Sequence, residues 1–278
     1  MKYASDFRQI ARDALRGKWG VAGWTSLVAA LMGASLWSAG GSSGSANSNS
    51  SSVSDLFYNM DSAIVDTILS VLTIAVVVLI VWGIVGFIIG GAAKFGYAIF
   101  NLNLVDGKEA RFSDLFSQFG RIGSGIIMNL LVGIFTFLWS LLFIIPGIIK
   151  SYSYSMTPFI LAEHPEISEN EAITRSRHMM DGNKWRLFCL MFSFIGWELL
   201  VCGPFLVTVI ILSTMLLTGV GTSGITAAVV FCVIVLLLLL VGQFFLSPYQ
   251  HAALAAFYRD ISAENDRADT VLPGEIIE

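Results

Sequence analysis

Residues 130–186 read LLVGIFTFLWSLLFIIPGIIKSYSYSMTPFILAEHPEISENEAITRSRHMMDGNKWR. An uncharged apolar run reaches Pro146-Gly147, a turn dipeptide. It is followed by a stretch carrying Lys150, Pro158 and several hydroxyls, and then by Arg175, Arg177, Lys184 and Arg186. Cationic loops of membrane proteins stay on the cytoplasmic side. If residues 147–162 did not cross, these four cations would lie opposite the other basic clusters, Lys2/Arg8/Arg12/Arg16/Lys18, Lys94/Lys108/Arg111/Arg121 and Arg259/Arg267. Charge therefore places Pro146 and Gly147 in an outer turn and makes 147–162 a short, tilted span. Lys150 is the one basic residue outside the clusters.

The flanking sequence continues the pattern. A helix needs roughly 20 apolar residues to cross about 30 Å of hydrocarbon, and the windows 20–39, 63–91, 122–145, 187–217 and 225–248 meet that length. With 147–162 they predict an all-α, polytopic bundle of six spans arranged as three hairpins, with both termini cytoplasmic. Composition agrees: 55% of residues are hydrophobic and only 13% charged, with mean hydropathy +0.75. A soluble domain is about one-quarter charged. The remaining stretches are too short for an independent soluble core. The apolar run at 20–39 ends in small residues like a signal peptide, but the patterned helix before it favours a retained span. Residues 40–61 open with GGSSGSANSNSSS and read as a flexible outer loop; 259–278 reads as an acidic cytoplasmic tail.

Three cytoplasmic segments carry helical apolar spacing. Residues 1–19 place Phe7, Ile10, Ala11, Ala14 and Leu15 on one face and Arg8, Arg12 and Arg16 on the other, with Ser5 as the expected N-cap. Phe112, Leu115, Phe116 and Phe119 repeat the spacing. Ser168-x-x-Glu171 reads as a capping box leading into Ile173, Ser176 and Met180. The junctions match as well: Leu15-Arg16-Gly17-Lys18-Trp19 and Met180-Asp181-Gly182-Asn183-Lys184-Trp185 each offer a glycine to end the helix. Lys18-Trp19 and Lys184-Trp185 then suit the headgroup layer as interfacial anchors. The amphipathic faces are expected to bind inner-leaflet lipid, or a protein partner.

LLVGIFTFLWS…DGNKWRLFCLMFSFIGWELL (130–200), with FRQIARDALRGKWG at one end and SPYQHAALAAFYRDI at the other, resembles an uncharacterised family of bacterial integral membrane proteins, domain of unknown function 975. Leu138-Trp139-Ser140, Ile145-Pro146-Gly147 with Lys150, Gly182-Asn183-Lys184-Trp185 and Pro248-Tyr249 carry the resemblance. More loosely, the Pro-Gly turn and following helix look like membrane portions attached to some glycerophosphodiester phosphodiesterases, without their catalytic domain. The resemblance implies a bacterial cell-membrane protein and no particular activity.

Charges within spans are the functional candidates, because each costs about 2.5–3.5 kcal/mol to insert at a helix centre. They are Lys150, Glu198 and Asp66, and Lys150 is expected either to snorkel or to pair with Glu198 or Asp66. Asn129, Thr136, Ser213 and Gln243 are modest candidates for lining a polar cavity. Cys189, Cys202 and Cys232 sit at no metal-ligand spacing and read as packing residues. His164, His178 and His251 are scattered, and neither a G-x-S-x-G elbow nor a P-loop occurs. Gly83, Gly86, Gly90 and Gly91 suit close helix packing or a dimer face. The sequence thus points to a non-enzymatic scaffold or accessory factor without cofactor, with membrane lipids and a protein partner at the cytoplasmic face, and no nucleic acid. A small-solute or lipid transporter is the alternative.

Overall fold

The computed structural model describes residues 2–34, 62–217 and 222–270. Among these it is helical without a strand: α1 (Ala4–Leu15), α2 (Trp19–Leu31), α3 (Ser62–Val105), two 3-10 turns (Phe112–Phe116 and Phe119–Arg121), α4 (Ile122–Leu142), α5 (Ile144–Tyr154), α6 (Thr157–Glu163), α7 (Glu169–Met179), α8 (Lys184–Leu217) and α9 (Thr222–Thr270). The expected loop at 40–61 and the end of the tail lie outside the described residues.

Among the described residues four helical segments, not six, are long and apolar enough to cross a membrane: Val76–Val105, Phe112–Leu141, Lys184–Leu212 and Val230–Arg267. The two expected spans that fall short have local causes. α2 has 13 residues, about 20 Å of rise. It ends where Gly33 takes φ +72° and the Ala34 N–H bonds to Ala29 O at 2.7 Å, closing the last turn. The stretch 147–162 is broken by Pro158, whose ring would collide with the carbonyl four residues back, that of Tyr154. α5 stops at Tyr154, and Pro158 enters the first turn of α6. Every residue of α6 from Thr157 to Ala162 is buried, so this segment is core rather than lipid-facing wall.

Side-chain bonds join elements that follow one another along the chain. Lys18, just before α2, donates from Nζ to Lys108 O at 3.1 Å, just beyond α3. Arg121, at the start of α4, donates to Leu161 O at 2.9 Å and Pro165 O at 3.3 Å, at the end of α6. Arg186, at the start of α8, pairs with Asp260 at 2.6 Å and Glu264 at 3.3 Å, late in α9. Each of these three pairs is fastened through a basic side chain.

One end of the bundle holds the core. Phe7, Leu15, Phe95, Phe100, Leu115, Phe159, Phe257 and Tyr258 are all at most 1% exposed. The opposite parts of α3, α4, α8 and α9 present Leu79, Phe137, Leu200, Ile210 and Leu238 at 56% exposure or more. Burying a large apolar side chain stabilises by about 1.5–3 kcal/mol, so exposed rows of this size on four helices need an apolar surround.

The amphipathic segments depart from expectation in instructive ways. The N-cap of α1 is Tyr3, not Ser5, because the Asp6 carboxylate accepts the Tyr3 backbone N–H at 2.9 Å. Its apolar face lies on α8 and α9 rather than open to lipid, with the Phe7 ring 5.3 Å from that of Phe257. Phe112–Phe119 forms 3-10 turns, not an α-helix, and within Phe112–Phe116 only Leu115 is buried. α7 is capped as expected, Ser168 Oγ accepting from the Glu171 N–H at 3.3 Å. Gly17 and Gly182 both adopt positive φ, +76° and +78°, the left-handed geometry a glycine supplies when a helix must end and turn.

Candidate functional site

α8 carries Glu198 fourteen residues past Lys184, about 21 Å along the helix. Facing it, α9 presents Gln243 and Gln250, seven residues apart and so on one helical face. Gln243 Nε2 donates to Glu198 Oε2 at 2.9 Å and Gln250 Nε2 to Oε1 at 2.7 Å, while the Cys202 thiol, one turn on, lies 3.5 Å from Oε2. The helices come close enough for this because residue 242 is glycine; a Cβ there would sit 2.7 Å from a Val201 methyl. All three partners of the carboxylate are neutral. Beside it opens a recess of about 250 Å³ lined by Tyr152, Phe188, Phe192, Phe194, Glu198 and Gln250. A carboxylate in an aromatic-walled recess can attract an organic cation.

A second recess, of about 240 Å³, lies between α4, α5 and α7. Lys150 from α5 reaches over the Trp139 ring, Nζ 4.6 Å from its centroid, in a cation–π contact. Tyr154, Asn170, Thr174 and Arg177 complete the polar lining. Two cations and three hydrogen-bonding side chains therefore converge on one small hollow.

The structure does not bring Lys150 and Glu198 together: each has its own recess and its own partners. Asp66 lies on α3, and its side chain is outside the described residues. Pro146 and Gly147 are not the turn itself. The chain reverses at Phe143, an extended residue (φ −158°, ψ 147°), and Pro146 falls in the first turn of α5, where its missing N–H costs nothing. Gly147 instead marks a close approach, since a Cβ there would lie 2.9 Å from Ser140 Cα. Trp185 is 71% exposed and stacks on Phe188 at 5.1 Å, whereas Trp19 is half-buried against Phe245 at 6.2 Å. Lys184 pairs with Asp181 at 3.3 Å.

Several participants escaped the sequence reading. Gln250 lies two residues past the expected end of its span. Lys94, read as part of a loop cluster, is half-buried within α3 and donates to Asn129 on α4 at 3.0 Å. Its signal was the apolar, small-residue run GGAAKFGYAIF, which continues the helix through the lysine. Arg259 donates to both carboxylate oxygens of Asp106, at 2.8 and 2.7 Å, and to Glu163 at 2.5 Å. Tyr258 adds a 2.7 Å bond to Glu163. Among the described residues, no group of three or more His, Cys, Asp and Glu side chains is placed to hold a metal.

The chain belongs to the family described as "Protein of unknown function (DUF975)", whose model matches residues 1–151 and 141–265. No match is found among curated proteins or among solved structures.

Proposed function

We propose that this member of the DUF975 family is a multi-pass protein of a bacterial cell membrane, without enzymatic activity, acting as a lipid- or protein-associated scaffold or accessory factor. The observation that carries the reading is the division of the molecule. A tightly packed, ion-paired base gathers the four basic clusters, and four long helices carry exposed apolar rows away from it. Basic clusters gathered at one end favour a cytoplasmic base with both termini on that side. α2 and α5–α6 then act as the short arms of two of three hairpins. Because the apolar face of α1 is already buried within the chain, a protein partner would meet the charged surface of the base.

The aromatic-walled recess at Glu198 favours a second reading, transport of a small solute or lipid. Affinity capture from native membranes with lipid analysis of the purified protein separates the two. A stoichiometric lipid or protein supports the scaffold. Substrate uptake by proteoliposomes that disappears in Glu198→Gln, with neither lipid nor protein co-purifying, supports transport and overturns it.

A further inference from the structure

We propose that the recess formed by α4, α5 and α7 binds the phosphate of an anionic lipid headgroup, with Lys150 and Arg177 as its two cationic contacts. Among the described residues neither cation forms an ion pair. Of the carboxylates on α7 and its approach, Glu171 is held by Arg175 at 2.7 Å and Glu166 by His164 at 3.2 Å. The Trp139 ring positions the Lys150 ammonium without neutralising it. Lys150 and Arg177 line the same recess, so both charges address one volume. Tyr154 and Asn170 provide hydroxyl and amide donors for the remaining phosphate oxygens, while the Thr174 hydroxyl donates to Asn170 O at 3.0 Å. Charge-assisted bonds of this kind are the strong ones.

Two features favour a lipid over a free anion. The volume, about 240 Å³, is below the range of pockets that enclose a drug-sized ligand, so it suits a headgroup with the rest of the molecule outside. The surface beside it is apolar, with Leu138 at 57%, Leu141 at 75% and Ile149 at 47% exposure, where acyl chains can lie. This inference rests on the reading of the chain as a bilayer protein and adds a ligand class and a place for it.

The test uses the full chain purified in mild detergent and titrated with a pyrene-labelled phosphatidylglycerol. Unlabelled phosphatidylcholine and inorganic phosphate serve as competitors. Saturable binding is expected, weakened roughly ten-fold by Lys150→Met or by Arg177→Gln and roughly a hundred-fold by both, and kept by Lys150→Arg. Arg175→Gln, on the same helix but outside the recess, should leave it unchanged. Displacement by millimolar phosphate with the same dependence on Lys150 and Arg177 would support the phosphate site and assign it to a soluble anion. Equal competition by phosphatidylcholine, or wild-type binding by the double variant, would overturn it. Carbonate washing of membranes keeps the two readings apart. A chain that washes off overturns the bilayer reading, whereas a retained chain whose lipid binding ignores both cations overturns only the headgroup site.

Discussion

At Glu198 the protein satisfies an acidic side chain with two amides and a thiol instead of a cation, which fixes what its removal does. Glu198→Leu leaves the Gln243 and Gln250 donors without their acceptor in a half-buried setting, each at a cost of about 1–3 kcal/mol. The variant should melt lower in detergent by several degrees, since 1 kcal/mol moves a chain of this class by about 2–4 °C. Glu198→Gln retains an acceptor and should lose less. Because Lys150 rests on Trp139 and not on Glu198, the losses from Lys150→Met and Glu198→Gln should add to within about 0.5 kcal/mol. A larger coupling in the thermal double-mutant cycle would show that the two recesses communicate. Both charges were legible in the sequence as interruptions of apolar runs. Their partners were not, because spacing along one helix names a face but not what the next helix sets against it. Gln250 carried no charge to draw notice.

At the scale of the element, periodicity located α1 and α7 and the glycines that end the segments before α2 and α8, since one helix decides those features alone. It failed at Phe112–Phe119, where spacing that suits an α-helix is met by 3-10 turns pinned by a local cap and by contacts to α3. Asp114 accepts from Arg111 N–H at 3.0 Å and from Asn103 at 3.2 Å, and the Leu115 backbone lies against Gly96. It also assigned the face of α1 to lipid or a partner, when the Phe257 side of α9 covers it. Phe7→Ala should therefore destabilise the whole chain by about 3–5 kcal/mol, the cost of truncating a core aromatic, measured as loss of the monodisperse peak on heating. An α1 that merely floated in the leaflet would show little change. The glycines of α3 divide by the same logic. A Cβ at Gly91 would fall 2.6 Å from Gly125 Cα, backbone against backbone, whereas Gly83 faces open space. Gly91→Ala should cost about 1–3 kcal/mol through forced separation of α3 and α4. Gly83→Ala should be neutral or add up to about 1 kcal/mol by helix propensity. Equal effects at the two positions would refute the intramolecular crossing.

Across the whole molecule, the basic end acts as a clasp, because Arg259 on α9 joins Asp106 beyond α3 to Glu163 at the end of α6, linking all three hairpins. The clustering of cations was legible from the sequence, but not their pairing, since Asp106, Glu163 and Arg259 lie far apart along the chain and meet only after the hairpins close. The clasp is half-buried, with Arg259, Asp106 and Glu163 side chains 32, 20 and 26% exposed. Breaking it should cost on the order of 1–2 kcal/mol, between the small value of a surface pair and the 3–5 kcal/mol of a buried one. Arg259→Met is the direct probe, read as a lower melting temperature with the helical signal retained below the transition. The acid dependence follows from Asp106. Partial burial pushes its carboxyl up, but the hydrogen bonds and charges of Arg259 and Lys108 outweigh that and hold it below its ordinary range. A carboxylate lowered in the folded state contributes stability that is complete above the unfolded value of about 3.9 and fades as pH falls through the lower folded value. Wild type should therefore lose melting temperature more steeply than Asp106→Asn as pH drops below about 4, with the two curves parallel at neutral pH. Parallel curves throughout the acid range would remove Asp106 from the clasp and leave Glu163 as the only carboxylate holding Arg259.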